Sequence, residues 1–129
     1  MLYSKAVSDA RYSRFLTNWD SQARKGVLVL IVMAALSGRE YYGYELVEHV
    51  MTGAGVQVSD GTLYAILIRL KAEGLVSTRW EAAERGPARK YYALTDEGRA
   101  LLAKMKQAWT GMVSGVDAIL EDRSGRDVR

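Results

Sequence analysis

The side chains of this 129-residue chain that could do chemistry are cations and hydroxyls, not nucleophile–base pairs. The chain has no cysteine and a single histidine, His49. This composition excludes disulfides, thiolate metal sites, a cysteine nucleophile and any two-histidine metal site. No motif of clustered carboxylates takes their place. We therefore predict that the protein is not an enzyme and needs no metal or other cofactor.

Positive charge is concentrated in two parts of the chain, although the net charge is only +3. Residues 59–95 contain six basic and four acidic side chains, and residues 1–26 contain five and two. Arg85, Arg89 and Lys90 lie close to Pro87, the only proline. This distribution favours a polyanionic partner, with simple surface solvation as the competing interpretation.

The hydropathy pattern argues against a membrane partner. The longest apolar run, Val27 to Leu36, has ten residues, about half of what a transmembrane helix needs. The first residues do not combine an apolar segment with a small-residue cleavage site. We expect a cytoplasmic protein.

Hydrophobic periodicity predicts the helices that must position the charged side chains. Apolar residues at three- and four-residue steps predict a helical arm within residues 1–24: Tyr12, Phe15, Leu16, Trp19 and Ala23. Asp20 and Ser21 are suitable N-caps for a second helix ending near Leu36. The arm either covers a flank of its own domain or contacts a second copy or DNA.

The next elements belong to one predicted domain, residues 25–95. One helix starts near Gly43, and another is capped by Ser59 or Asp60. The latter buries one face, consisting of Leu63, Ile66, Leu67 and Leu70. Runs rich in strand formers, 75–80 and 89–94, then predict a β-hairpin with a basic tip.

Thr95 caps a last helix, predicted over residues 96–121 and followed by a polar tail, 122–129. Its apolar stripe consists of Leu101, Met105, Trp109, Met112, Val116, Ile119 and Leu120. A stripe of about five turns is longer than one small domain can cover. We predict that these residues form the interface of a homodimer.

This order of elements is that of a winged helix-turn-helix, whose third helix enters a major groove. The chain also contains Tyr42-Gly43-Tyr44-Glu45-Leu46, Gly61-Thr62-Leu63-Tyr64 and Arg89-Lys90-Tyr91-Tyr92 in sequence. Over residues 25–120 it resembles the PadR family of bacterial transcriptional regulators. The resemblance implies a mainly α fold with a small β-hairpin wing. We expect a long C-terminal dimerisation helix and an extra N-terminal helix beside the winged domain.

The resemblance further implies a repressor that leaves double-stranded DNA when a small molecule binds. Many relatives have proline where this chain has Asp60 and Ile66. Asp60 can cap the helix, but it adds a negative charge near the end that faces DNA. If Asp60 spoils that end, the protein binds small molecules without acting on DNA.

The third helix of the winged domain is the one that begins near Ser59. A helical projection separates its exposed face from its buried face. Gly61, Ala65 and Ile68 point outward, which favours close approach and thymine-methyl contacts over bidentate hydrogen bonds. The groups expected to contact phosphates are Ser59, Thr62, Tyr64, Arg69, Arg85, Arg89 and Lys90. Alternatively, Ile68 packs on a neighbouring segment and reads no bases.

Trp109 lies in the middle of the apolar stripe of the last helix. Some drug-sensing members of the family carry a tryptophan here that sandwiches a flat ligand, which implies an effector site at Met105, Trp109, Met112 and Val113. Such side chains offer a polarisable surface to a planar hydrophobic ligand. The alternative is that Trp109 only packs the dimer core.

We thus predict a homodimeric regulator that binds a near-palindromic operator. A protein–protein adaptor that uses the winged domain without any operator remains the alternative, because winged domains also serve as docking surfaces.

Overall fold

The computed structural model describes residues 9–122. They form, in chain order, α1 (Ala10–Gly26), α2 (Leu28–Gly38), β1 (Tyr41–Tyr42), α3 (Gly43–Gly53), α4 (Asp60–Ala72), β2 (Val76–Glu81), β3 (Arg89–Leu94) and α5 (Asp96–Leu120). This is the mainly helical fold with a small sheet that the sequence predicts. Residues 1–8 of the predicted arm and 123–129 of the predicted tail lie outside the described residues.

The core lies where α2, α3, α4 and the sheet meet. Val32, Met33, Leu46, Leu63 and Leu67 have no exposed surface. Each fully buried side chain of this size contributes about 1.5–3 kcal/mol. On α4 the buried residues are the predicted ones, except that Ile66 is only partly buried. This burial fixes which face of α4 remains outside.

The boundary between the first two helices differs from the prediction. Asp20 and Ser21 lie inside α1, and the helix ends at Gly26. The Asp20 carboxylate accepts a hydrogen bond from Arg24 Nε (2.9 Å) one turn later, so it stabilises the helix interior instead of capping a new helix. The break between α1 and α2 lies at Val27, whose N–H donates a hydrogen bond to the Arg24 carbonyl (3.2 Å). The predicted start of a helix at Asp20 or Ser21 is therefore wrong.

The sheet has one strand more than the predicted hairpin. β1 pairs with β3, which gives an antiparallel sheet in the order β1-β3-β2. Tyr41 pairs with Tyr92 and Tyr42 with Tyr91. Two residues give too little periodicity for a strand to be recognised, so only tertiary pairing defines β1. The β2–β3 hairpin, with its tip at residues 82–88, is the wing. β1 holds the start of α3 against it.

Only the first half of α5 belongs to the core. Gly98 is buried, and Leu102 and Met105 pack partly against the core. Every residue from Lys106 to Leu120 is exposed. With a rise of about 1.5 Å per residue, this half of α5 is about 20 Å long.

An ion pair joins the wing to the segment before β1. Arg79 of β2 donates two hydrogen bonds to the Glu40 carboxylate, one of them from Nε at 3.0 Å. These hydrogen bonds lower the pKa of Glu40 below its ordinary value. The folded chain therefore holds the Glu40 proton more weakly than the unfolded chain does.

We expect this pair to stabilise the fold at neutral pH and to lose its effect in acid, as Glu40 becomes protonated below its usual pKa. In urea denaturation, Glu40→Gln should lower the free energy of unfolding at pH 7, and the difference from the parent should shrink towards pH 3. Glu48→Gln is the control, because Glu48 forms no ion pair within residues 9–122. A difference that stays constant with pH would contradict this account.

Candidate nucleic-acid interface and interhelical cavity

The outward face of α4 is small, apolar and free of contacts from the rest of the described chain. Gly61 and Ala65 are exposed, and a Cβ on Gly61 would meet nothing within 4 Å. Ile68 is 70% exposed. Within residues 9–122, this exposure does not fit the alternative in which Ile68 packs on a neighbouring segment. Thr62, Tyr64 and Arg69 are exposed beside these residues, as the projection predicts.

The start of α4 is held by a hydroxyl pair. Ser59 is the N-cap and accepts a hydrogen bond from the Thr62 N–H (3.1 Å). Its Oγ also lies 2.9 Å from Thr62 Oγ1. Asp60 occupies the first turn and is exposed, where a carboxylate is favourable to the helix dipole. Ser59, not Asp60, therefore makes the cap.

A groove of about 220 Å³ separates the wing from the starts of α3 and α4. Apart from Gly43 and Ala88, the residues that line it are aromatic or basic: Tyr42, Tyr44, Tyr64, Arg89, Lys90 and Tyr92. No aspartate or glutamate lines it. Hydroxyls and cations at the positive end of a helix are the groups that bind phosphate oxygens.

Aromatic rings hold the two wing cations of this groove in place. The Arg89 guanidinium lies 4.5 Å from the centre of the Tyr42 ring. The Lys90 ammonium lies 5.8 Å from the Trp80 ring and 5.7 Å from the Tyr92 ring. Such cation–π contacts limit side-chain motion and keep the charges at defined places.

Gly43 allows Tyr64 to reach from α4 to the first turn of α3. A Cβ at Gly43 would overlap the Tyr64 hydroxyl, so only glycine leaves room for this contact. Burial raises the pKa of Tyr92, and the nearby Tyr64 adds to the effect. A tyrosine hydroxyl is already protonated at neutral pH, and this shift keeps Tyr92 a hydrogen-bond donor to higher pH.

The third predicted wing cation is placed differently. Arg85 shares a separate depression with Glu81, Glu84 and Arg89. Two carboxylates beside Arg85 reduce the positive potential there. Of the wing cations, only Arg89 and Lys90 line the groove beside α4.

Tyr42 and Tyr44 also line this groove, and neither is among the site residues predicted from the sequence. Tyr44 is 65% exposed on the first turn of α3. The available signal was the pair of tyrosines flanking Gly43. Tyr44 is exposed, whereas Tyr42 is half-buried with its ring 5.8 Å from the Tyr91 ring. Only the pairing of β1 with β3 shows that this turn adjoins the wing.

A second candidate site is a cavity of about 510 Å³ between α2 and α5. Its walls are Val27, which precedes α2, Leu30, Ile31, Ala34 and Ser37 of α2, and Leu102, Lys106 and Trp109 of α5. Trp109 is the one predicted effector residue that lines it. Met105 packs partly against the core of its own chain, and Met112 and Val113 lie beyond the cavity. The prediction considered α5 alone and so missed the wall that α2 supplies.

Two apolar stripes have no partner within the described chain. On α5 the predicted interface residues beyond Met105 are exposed, with Ile119 at 77% and Leu120 at 76%. On α1, Phe15 is 74% and Trp19 60% exposed, and no residue of the helix is buried. The stripe on α1 therefore does not cover a flank of its own domain, which was one of its two interpretations.

Two kinds of site are absent from the part of the chain that the structure describes. Between Asp9 and Asp122, no group of three or more histidine, aspartate or glutamate side chains could hold a metal ion. No helix in this range is long and apolar enough to cross a membrane.

Comparisons with known proteins agree with this arrangement. The structure of a PadR family regulator from Eggerthella lenta superposes with a TM-score of 0.80 at 30% identity, covering 89% of this chain and 100% of that chain. A PadR-like regulator from Bacillus cereus gives 0.71 at 35% identity, covering 79% and 99%. A transcriptional regulator of Mycobacterium tuberculosis is 32% identical over 66% of this chain and 78% of its own length.

Residues 32–104 match the Transcriptional regulator PadR-like family, and this span includes α4, the wing and the first turns of α5. The same span contains the groove between α3, α4 and the wing. The chain therefore belongs to the PadR-like family of transcriptional regulators.

Proposed function

We propose that this DNA-binding regulator acts as a homodimeric repressor that leaves a near-palindromic operator when a small aromatic effector binds. The observation that carries the proposal is the exposed apolar face of α4 beside a groove whose charged side chains are all cations. The face supplies base contacts, and the groove supplies phosphate contacts on the same side of the domain.

Base reading on α4 rests on shape and methyl contacts. With Gly61 and Ala65 on its outward face, α4 can approach the floor of a major groove closely. Ile68 then offers an apolar contact to a thymine methyl group. Ser59, Thr62, Tyr64 and Arg69 surround this face and fix its register on the phosphates.

Ile68→Ser should relax sequence preference without unfolding the protein, because the side chain is exposed. We expect binding-site selection from a random duplex pool to lose base preference at one position per half-site, worth about 1–3 kcal/mol of discrimination. Lys71→Ser, on the last turn of α4, is the control for a change of surface on the same helix. Unchanged preference in a folded Ile68→Ser protein would overturn base reading by this residue.

The dimer rests on the exposed half of α5. Val116, Ile119 and Leu120 continue the stripe to the end of α5 and are exposed. A contiguous apolar surface of this kind marks an association site, and a second copy supplies a matching stripe. The exposed stripe of α1 offers the same copy a second surface.

Effector control follows from the position of the cavity. Its walls join α2 of the winged domain to α5 of the proposed dimer interface. A ligand between these helices changes their separation, and with it the distance between the two α4 helices. Release of DNA requires that the ligand bind one dimer state more tightly than the other.

A further inference from the structure

The apolar stripe of α1 is exposed along its whole length. Its members recur at steps of three and four residues: Tyr12, Phe15, Leu16, Trp19 and Ala23. No residue of α1 is buried against the rest of residues 9–122. A helix of 17 residues without a packed apolar face is only marginally stable in water. The stripe therefore needs a packing partner.

The polar side of α1, and not the stripe, faces the winged domain. A depression of about 340 Å³ lies between the last turns of α1 and residues 55–57. Arg24 Nη1 also donates a hydrogen bond to the Ala54 carbonyl (3.1 Å). These contacts direct the stripe away from its own domain, so a second molecule must cover it. The α1 residues that line the depression all lie outside the stripe: Thr17, Asp20, Ser21, Arg24 and Lys25.

The exposed half of α5 carries a row of apolar residues with matching spacing. On α1, steps of four, three and four residues connect Tyr12, Leu16, Trp19 and Ala23. On α5, the same steps connect Trp109, Val113, Val116 and Leu120. Alternating steps of three and four residues are typical of the seam between two packed helices. Both rows are exposed in the same chain, so α1 does not cover its own α5.

This row on α5 stays available when two α5 helices pair. Met112 and Ile119 lie on one side of the stripe of α5, and Val113 and Leu120 lie about 100° further round the helix. The seam between two helices is narrower than this. A dimer that forms through Met112 and Ile119 therefore leaves Val113 and Leu120 uncovered.

Charge favours one direction of α1 along the partner helix. Arg11 and Arg14 lie at the start of α1, and Asp117 and Glu121 lie at the end of α5. None of the four forms a salt bridge within residues 9–122. An antiparallel arrangement brings the basic end of α1 to the acidic end of α5, whereas a parallel arrangement brings it towards Lys106.

We propose that α1 is an exchanged arm, which packs antiparallel on the exposed half of α5 of a second copy. Three aromatic side chains from each of two arms would bury on the order of 1,000 Å², the size of a specific interface. The exchange rests on the proposed homodimer. It adds which segment covers the outer row of α5 and in which direction.

Sedimentation equilibrium of the full chain tests the contribution of the arm to the dimer. Phe15→Ser with Trp19→Ser should raise the dimer Kd about a hundredfold, because truncated aromatic anchors dominate the loss at such interfaces. Both residues are exposed, so the winged domain should stay folded, which circular dichroism can verify. Ser13→Ala with Thr17→Ala, on the polar side of the same helix, is the control and should leave Kd unchanged.

Disulfide cross-linking locates the arm on the partner, since the chain has no cysteine of its own. The antiparallel register places Tyr12 opposite Leu120 of the second copy. Tyr12→Cys with Leu120→Cys should therefore form a covalent dimer on a non-reducing gel. Ser13→Cys with Leu120→Cys, one residue away on α1, is the control and should remain largely monomeric on that gel.

The failures of the arm and of the dimer are distinguishable. If the variant with Phe15→Ser and Trp19→Ser dimerises like the parent, arm exchange is overturned, and a loss of DNA affinity in that variant would assign α1 to DNA. If Tyr12→Cys alone cross-links as readily as the pair, α1 packs on α1 of the second copy, which also overturns the exchange. In both cases the dimer through α5 survives. A parent protein that stays monomeric at all concentrations would overturn the dimer and the exchange together.

Discussion

Gly98→Ala is expected to lower the free energy of unfolding by about 2–3 kcal/mol, the upper part of the usual range for overpacking. A Cβ at Gly98 would overlap the carbonyl oxygen of Leu75 and would lie 3.1 Å from Leu94 Cδ2. The carbonyl cannot move away freely, because it accepts the Thr95 N–H bond (3.1 Å). Thr95 Oγ1 also donates to the Gly74 carbonyl (2.7 Å) and caps α5 through the Gly98 N–H (3.0 Å). The substitution therefore forces α5 away from the winged domain.

Urea denaturation measures the free energy of unfolding of Gly98→Ala and of a control in the same helix, Gly111→Ala. A Cβ at Gly111 meets nothing within 4 Å, and Gly111 points away from the apolar stripe of α5. Alanine there should raise the free energy of unfolding by about 1 kcal/mol or leave it unchanged. Equal stability of the two variants would contradict the packing described for Gly98.

The double change Arg89→Gln with Lys90→Gln is expected to have the largest effect on DNA binding. These are the cations that line the groove beside α4. A dimer would lose four phosphate-facing charges, so the slope of log affinity against log salt should decrease by about four. At 0.15 M salt we expect affinity for any duplex to fall by about a hundredfold or more, because phosphate contacts do not depend on sequence.

The matched control removes the same charge from α5, by Lys104→Gln with Lys106→Gln. Neither lysine lines the groove, so the salt slope should remain close to that of the parent protein. Fluorescence anisotropy of a labelled duplex over a salt series measures both pairs. If both pairs reduce the slope equally, the groove has no special role and only net charge matters.

Much of the fold could be predicted because its elements carry strong local signals. The burial of Leu63, Leu67 and Leu70 and the exposure of Ile68 follow from helical period alone. β3 was placed at its observed limits, 89–94. The start of α2 was missed because Asp20 and Ser21 have good capping chemistry, while their actual partner, Arg24, lies within the same helix.

The candidate sites could be predicted only in part, because they depend on contacts between distant segments. Arg89 and Lys90 were recognised from the basic tip, but Tyr42 and Tyr44 reach them only through the pairing of β1 with β3. In the same way, Trp109 was recognised from its stripe. Lys106 was recognised as a residue of the cavity only when α2 was seen to form the opposite wall.

Reading of an operator by a dimer can be measured on DNA from the protein's own gene. Anisotropy of a labelled duplex from upstream of the gene is compared with a shuffled duplex of equal composition across a salt series. We predict much tighter binding to the natural duplex, two protomers per site and a slope equivalent to roughly 6–10 released counterions. The same comparison is then made with the remaining intergenic DNA around the gene. Equally weak binding to all of these duplexes would contradict operator reading.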